Sequence, residues 1–233
     1  MLRPLTLVLA LLALLLAACG ENDDPPEPSE EQAAQSQSES ADSDAGGCQE
    51  VAAPEPKPDG GAKKPAKGLA AAKTYEVVMT TSCGDFTIRL NQKISPKTAA
   101  SFASLARSGF YDNTVFHRIV PDFVIQGGDP TGSGTGGPGY STRDTPPGDT
   151  IYSEGVVAMA KTEVEPPGTS GSQFYVVTAR DAGLPPDYAV LGRVVKGQQV
   201  VTAIGLLGDP NSGGTGTPLQ PVVLESAKLV TKG

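Results

Sequence analysis

From residue 74 onward the apolar positions fall into short runs separated by glycine- and proline-rich breaks. YEVVMTTS alternates weakly, a Cys-Gly-Asp turn follows, and FTIRL places Phe86, Ile88 and Leu90 on one face with Thr87 and Arg89 on the other. That period of two predicts a β-hairpin. The period changes in SPKTAASFASLARSGF, where Phe102, Leu105 and Ala106 make a helical stripe. Ser95 is the expected N-cap, Pro96 suits the first helical position, and Gly109 suits the residue past the end. TVFHRIV, DFVIQGG, GVVAMA, SQFYVVT and YAVLGRVV predict further strands, GQQVVTAIGLL a second helix, and VVLESAKLV a closing strand. Many short strands with only two helices favour a barrel or sandwich, the helices being placed to plug the ends of a closed barrel.

The chain before this region carries neither period. Leu7 to Ala18 is an unbroken apolar run behind Arg3, shorter than the roughly 20 residues a bilayer-spanning helix needs. A charged start, a short apolar run and small residues before a cut site predict a secretory signal over residues 1–18. Leu16-Ala17-Ala18-Cys19 resembles a bacterial lipobox. That resemblance implies an acylated Cys19 and export to the outer face of the cell membrane, where each buried CH₂ of the anchor adds ~0.8 kcal/mol of affinity. An ordinary signal peptide with a chance cysteine is the alternative. Residues 20–67 hold one Val, no other large apolar side chain, and 12 acidic against 4 basic residues. Such a segment cannot bury enough apolar surface to offset its ordering entropy, so residues 19–67 are expected to be a disordered acidic tether.

Residues 68–233 hold all six Phe and all six Tyr, with 13 basic and 14 acidic residues. The formal net charge of -8 therefore belongs to the tether. It argues against a nucleic-acid partner, which calls for a basic face. One His and three scattered Cys exclude a multi-His metal centre or a structural zinc site, and no cofactor is expected. With Cys19 assigned to the anchor, Cys48 and Cys83 remain as an even pair in an exported chain. A disulfide between them is permitted, as are two free thiols.

The most specific strings are FHRIVPDFVIQGGD (116–129), VVAMAK (156–161) and GSQFYVVT (171–178). In this order and spacing they resemble the cyclophilin-type peptidyl-prolyl isomerases over about residues 75–230, in a lipoprotein form. The resemblance implies a mainly β fold, an eight-stranded antiparallel closed barrel capped by two α-helices, as one domain over 68–233. It also implies a monomer acting on proline-containing polypeptides of the exported proteome, tied to the membrane by its lipid.

Rotation about a prolyl bond makes and breaks no covalent bond. It crosses a barrier of ~18–20 kcal/mol set by the partial double bond. A catalyst needs a dry pocket for the ring and a donor that favours the twisted amide, whose pyramidal nitrogen accepts a hydrogen bond. Arg118, a charge inside the apolar run FHRIV, fits the donor role; on the residues alone it is equally an outward-facing strand arginine. Gln126, eight residues on, is placed to hold the Arg fork or the substrate carbonyl. By position in the motifs, the resemblance makes Phe123, Val124, Tyr175 and Leu184 the pocket wall, with Tyr188 beside them. It makes Ala160, Lys161 and Thr162 the strand laid along the substrate, supported by Gln173. Tyr175 stands where the family usually has Phe, Lys161 where it commonly has Asn, Tyr188 where it has His, and Gly183 where many members have Trp. The last departure weakens the expectation of tight cyclosporin binding. His117 is expected to be a supporting residue, buried and hydrogen-bonded to backbone, since rotation needs no proton transfer. Met159 and Phe174 are expected in the core. The departures leave a rival reading: a non-catalytic proline-peptide binding module or holdase. Gly132, Gly134 and Gly137 satisfy G-x-G-x-x-G, but no helix pattern follows them, so no dinucleotide site is expected.

Overall fold

The computed structural model describes residues 47–233. The apolar run, Cys19 and most of the acidic segment lie outside the described residues. In chain order the elements are β1 (Thr74–Thr81), β2 (Gly84–Leu90), α1 (Pro96–Arg107), β3 (Thr114–Val115), β4 (Arg118–Val120), β5 (Val124–Gly127), β6 (Thr142–Arg143), β7 (Val156–Met159), β8 (Thr169–Ser170), β9 (Phe174–Val177), β10 (Val190–Lys196), α2 (Gln198–Gly205), a 3-10 turn (Pro210–Thr215) and β11 (Val223–Lys232). The main sheet has nine antiparallel strands in the order β3-β11-β1-β2-β10-β7-β9-β5-β4. Its two edge strands, β3 and β4, are separated in the chain only by Phe116 and His117. They are the halves of one bent strand, β3 pairing with β11 and β4 with β5. Counted together they complete eight strands closed on themselves, the barrel implied by the motifs. The two-residue strands β6 and β8, which pair with each other, carry too few residues to show a period.

Alternation along the strands makes two apolar layers. Inward residues Phe86, Ile88, Ile119, Ile125, Val157, Met159, Phe174, Val176 and Leu191 form the main core with Phe102 and Leu105 of α1 and Val201 and Ile204 of α2. Phe174 stands edge-on to Phe102, Tyr111 and Phe116, with ring centroids 5.5, 6.0 and 6.0 Å away. Outward residues of β5, β7 and β9 form a second, smaller cluster: Val124, Val156, Ala158, Tyr175 and Val177, with Tyr152. An antiparallel strand apolar on both faces is the mark of something covering its outer side, and here the cover is the candidate site.

Helix α1 departs from its expected cap. Ser95 precedes it but makes no side-chain capping bond; its hydroxyl is buried without a partner among the described residues. Asp144 supplies the acceptor instead, taking the Thr98 N–H at 2.7 Å from 46 residues away. A carboxylate there also suits the positive end of the helix dipole.

The expectation that all of 19–67 is a solvated tether does not describe residues 47–67. They form a strap along the domain. Cys48 is bonded to Cys83 with an S–S distance of 2.06 Å, Gln49 N–H donates to Ser82 O at 2.8 Å, and Cys48, Ala62 and Leu69 pack against the core. Composition reports whether a segment can build its own core. It is silent about backbone N–H groups and a lysine that find acceptors on a domain already folded.

One ion cluster has a buried carboxylate between two half-exposed cations. Glu76 on β1 is 4% exposed and receives both Arg89 of β2, at 3.0 Å, and Lys232 of β11. The Lys232 hydrogen bond, with Arg89 adding to it, holds the Glu76 pKa below its ordinary 4.5 against the opposing effect of burial. A depressed carboxyl contributes stability that is present above its unfolded pKa and lost as pH falls through the folded one. Glu76→Gln is therefore expected to lower unfolding free energy at pH 7 by about 1–3 kcal/mol. It should also flatten the stability loss below about pH 4.5, read by urea unfolding across pH.

Candidate active site

The hairpin β4–β5 turns through Pro121, Asp122 and Phe123, with Asp122 in the left-handed region at φ 52, a conformation Asp tolerates better than most residues. This turn sets Arg118 opposite Gln126. The register continues across the sheet: Gln126 faces Tyr175 on β9, and Tyr175 faces Ala158 on β7. Cross-strand partners share a face, so Arg118, Gln126, Tyr175 and Ala158 form one outward row. Phe123, Leu184, Tyr188 and Ala160 pack on the apolar cluster around that row, all partly exposed. The result is an apolar shelf with a cation at its end. Gly183 has open space around it next to Leu184, so no indole closes that edge.

Arg118 is held at both ends of its fork. Its Nε and Nη2 donate to Gly214 O at 3.1 and 3.0 Å, and Nη1 donates to Gln126 Oε1 at 3.4 Å. Of five N–H donors, two have no partner among the described residues. Its guanidinium carbon stands 5.8 Å from the Phe123 ring centroid. Burial lowers the Arg118 pKa, yet an arginine keeps its charge across the working range. Gly216 lets the 3-10 turn come this close, because a Cβ there would lie 2.8 Å from Arg118 Cγ and 2.7 Å from Val120 Cγ2.

Gln126 Nε2 donates to Gln173 Oε1 at 3.0 Å, and Gln173 Nε2 donates to Gly134 O and Gly136 O at 3.0 and 2.9 Å. These carbonyls belong to a glycine loop organised by the buried Asp129. Its carboxylate accepts from the N–H groups of Thr131, Gly134 and Gly136 at 2.7, 2.6 and 3.1 Å. The backbone hydrogen bonds keep the Asp129 pKa low although burial opposes them. The G-x-G-x-x-G string is thus an anchored loop beside Gln173.

The tyrosines are pinned from below. Tyr152 donates its hydroxyl to Tyr188 O at 2.6 Å and accepts the Tyr188 N–H at 3.0 Å, and burial raises its pKa to about 12. Tyr175 stands edge-on to Tyr188 at 5.7 Å between ring centroids. Its hydroxyl is buried with no partner among the described residues, and burial pushes its pKa far up. The Lys161 ammonium lies 5.5 Å from the Tyr188 ring centroid and donates to Thr162 O. Thr162 is held through its N–H and hydroxyl by Glu165 Oε2 at 2.7 and 3.0 Å. Ala160 N–H donates to Gln173 O at 3.0 Å, continuing the β7–β9 ladder past Met159.

His117 differs from expectation. Its ring nitrogens have no hydrogen-bond partner among the described residues. Burial lowers its pKa despite the nearby Asp129. The motifs left four contributors unseen: the Gly214, Gly134 and Gly136 carbonyls and Tyr152. Three are backbone acceptors, which no side-chain pattern reveals. Tyr152 was visible only as an aromatic in a polar loop.

A family model described as "Cyclophilin type peptidyl-prolyl cis-trans isomerase/CLD" matches residues 76–229. Peptidyl-prolyl cis-trans isomerase-like 1 of Aspergillus fumigatus is 38% identical over 162 residues, covering 68% of this chain and 97% of the relative. Peptidyl-prolyl cis-trans isomerase CYP18-2 of Arabidopsis thaliana is 38% identical over 162 residues, covering 66% and 93%. A Cryptosporidium parvum cyclophilin-type isomerase structure has a TM-score of 0.60 at 28% identity, covering 69% of this chain and 98% of its own. Its form in the presence of the dipeptide Ala-Pro gives 0.59 at 29%, covering 68% and 99%. With its barrel, its motifs and these relatives in agreement, the chain belongs to the family of cyclophilin-type peptidyl-prolyl cis-trans isomerases.

Proposed function

We propose that this chain accelerates cis-trans rotation of Xaa-Pro bonds in exported proteins, working from a membrane surface to which an acyl group on Cys19 ties it. The observation that carries the reading is the register row Arg118–Gln126–Tyr175, which sets a fixed cation at the edge of an apolar shelf. The proline ring rests on Phe123, Val124, Tyr175, Leu184 and Tyr188, shedding water. Backbone beyond β7, at Ala160, Lys161 and Thr162, runs beside the preceding substrate residues, and Gln173 holds that wall. As the amide twists, its nitrogen gains a lone pair. A free N–H of Arg118 reaches it, while Gly214 O and Gln126 Oε1 keep the fork from following the substrate. A donor fixed before the reaction costs no reorganisation during it, and the planar ground state gains less from it than the twisted state. This chemistry requires no metal, cofactor or proton relay. The lipobox-like ending at Cys19 and the acidic segment behind it support the anchored, exported setting.

The test uses a protein whose refolding waits on prolyl isomerisation, a process of tens to hundreds of seconds. Substoichiometric full chain is expected to raise the slow refolding rate in proportion to its concentration. A binding module or holdase leaves that rate unchanged or lowers it at equimolar amounts, and that outcome would overturn the proposal.

A further inference from the structure

The strap passes beside the glycine loop, and its contacts there are specific. Lys57 N–H donates to Pro130 O at 2.8 Å, Gly60 N–H to Gly137 O at 2.9 Å and Ala62 N–H to Pro138 O at 3.1 Å. Asp59 Oδ1 accepts the Gly137 N–H at 2.8 Å. Gly60 and Gly139 pass so closely that a Cβ on Gly139 would lie 3.2 Å from Gly60 Cα. The strap is fixed in turn by Lys57, whose ammonium donates to the carbonyls of Gly109, Phe110 and Asp112 at 3.2, 2.6 and 3.0 Å just past the end of α1. Asp59 and Gln126 both line one groove of about 590 Å³.

The two glutamine amides between Arg118 and the glycine loop run in one direction. Arg118 donates to Gln126, Gln126 to Gln173, and Gln173 to Gly134 O and Gly136 O. If those two carbonyls withdraw, the Gln173 amide is free to rotate, Gln126 loses its acceptor, and Arg118 loses one of its two restraints. Loop glycines resist such withdrawal poorly by themselves. Asp129 grips the loop from inside, and the strap grips it from outside.

Resting on the isomerase reading above, we propose that Lys57 and Asp59 are positioning residues for Arg118 and Gln126, acting through the glycine loop and Gln173. The strap thereby sets the turnover of the site without touching the proline.

The experiment compares full-chain variants by exchange NMR on an Ala-Pro peptide, with side-chain amide signals of Gln126 and Gln173 recorded alongside. Asp59→Ala and Lys57→Met are expected to lower kcat about three- to ten-fold, as small misplacements of reacting groups do, with peptide affinity changed less than two-fold. Both glutamine amide signals shift in these variants. Asp59→Asn, which keeps an acceptor for the Gly137 N–H, retains wild-type kcat; Asp59 is exposed, so its variants retain the fold. A wild-type chain that turns over while Asp59→Ala keeps its kcat and its Gln173 signals overturns the positioning role alone. Wild-type protein that binds peptide without accelerating exchange overturns the isomerase reading, and this proposal with it.

Discussion

Arg118→Ala is expected to lower kcat/KM on an Ala-Pro peptide by about 10²–10³-fold, the range found when one preorganised donor is removed. Peptide affinity should change by only a few-fold, because the apolar shelf remains: Val124 and Tyr175 sit on paired strands and pack with Tyr152, Phe123 and Leu184 in one apolar cluster. Loss confined to kcat is the signature of an interaction made in the transition state. Arg118→Lys should restore little. An ammonium is a point charge without a planar fork, so it cannot span Gly214 O and Gln126 Oε1 while keeping a donor free. Exchange NMR at saturating and subsaturating peptide separates the two parameters.

The largest effect on stability is expected at Phe174, which is wholly buried. Phe174→Ala should cost about 3–5 kcal/mol through lost transfer energy and the cavity left behind. In a domain of this size that lowers Tm by roughly 6–20 °C, at 2–4 °C per kcal/mol. The position joins α1 to the barrel, since its ring meets Phe102 of α1 as well as Tyr111 and Phe116. It also lies between Gln173 and Tyr175 in the chain, so the inward ring fixes the strand from which two outward groups project. Calorimetry or thermal circular dichroism checks the value. A loss under 1 kcal/mol would mean the core closes around the gap.

The strands were legible where alternation or an apolar run extended over four or more residues, as in FTIRL, VIQG and FYVV. Helix α1 announced itself by its stripe of Phe102, Leu105 and Ala106, by Pro96 and by Gly109. What failed were features whose partners are distant. Ser95 had the right residue type and place for a cap, but Asp144 reached Thr98 first. The strap looked too polar to order because its partners, the carbonyls past α1 and the glycine loop, are provided by the fold. At the site, Arg118 and Gln126 could be paired from an eight-residue spacing around one turn. Their restraints could not: Gly214 lies 96 residues from Arg118, and a carbonyl carries no residue identity. His117 reads in the chain as a buried ring with a backbone partner; it lies partly exposed against Gly134 of the glycine loop, where neither ring nitrogen has a hydrogen-bond partner among the described residues.

The proposed function requires that this site speed rotation and do more than hold proline. Exchange NMR on an Ala-Pro peptide with catalytic amounts of the full chain measures that directly and needs no coupling protease. Cis and trans signals are expected to interconvert orders of magnitude faster than in peptide alone, with the acceleration lost in Arg118→Ala although the peptide still binds. Binding without acceleration by the wild-type chain would contradict the claim and leave a proline-peptide receptor in its place.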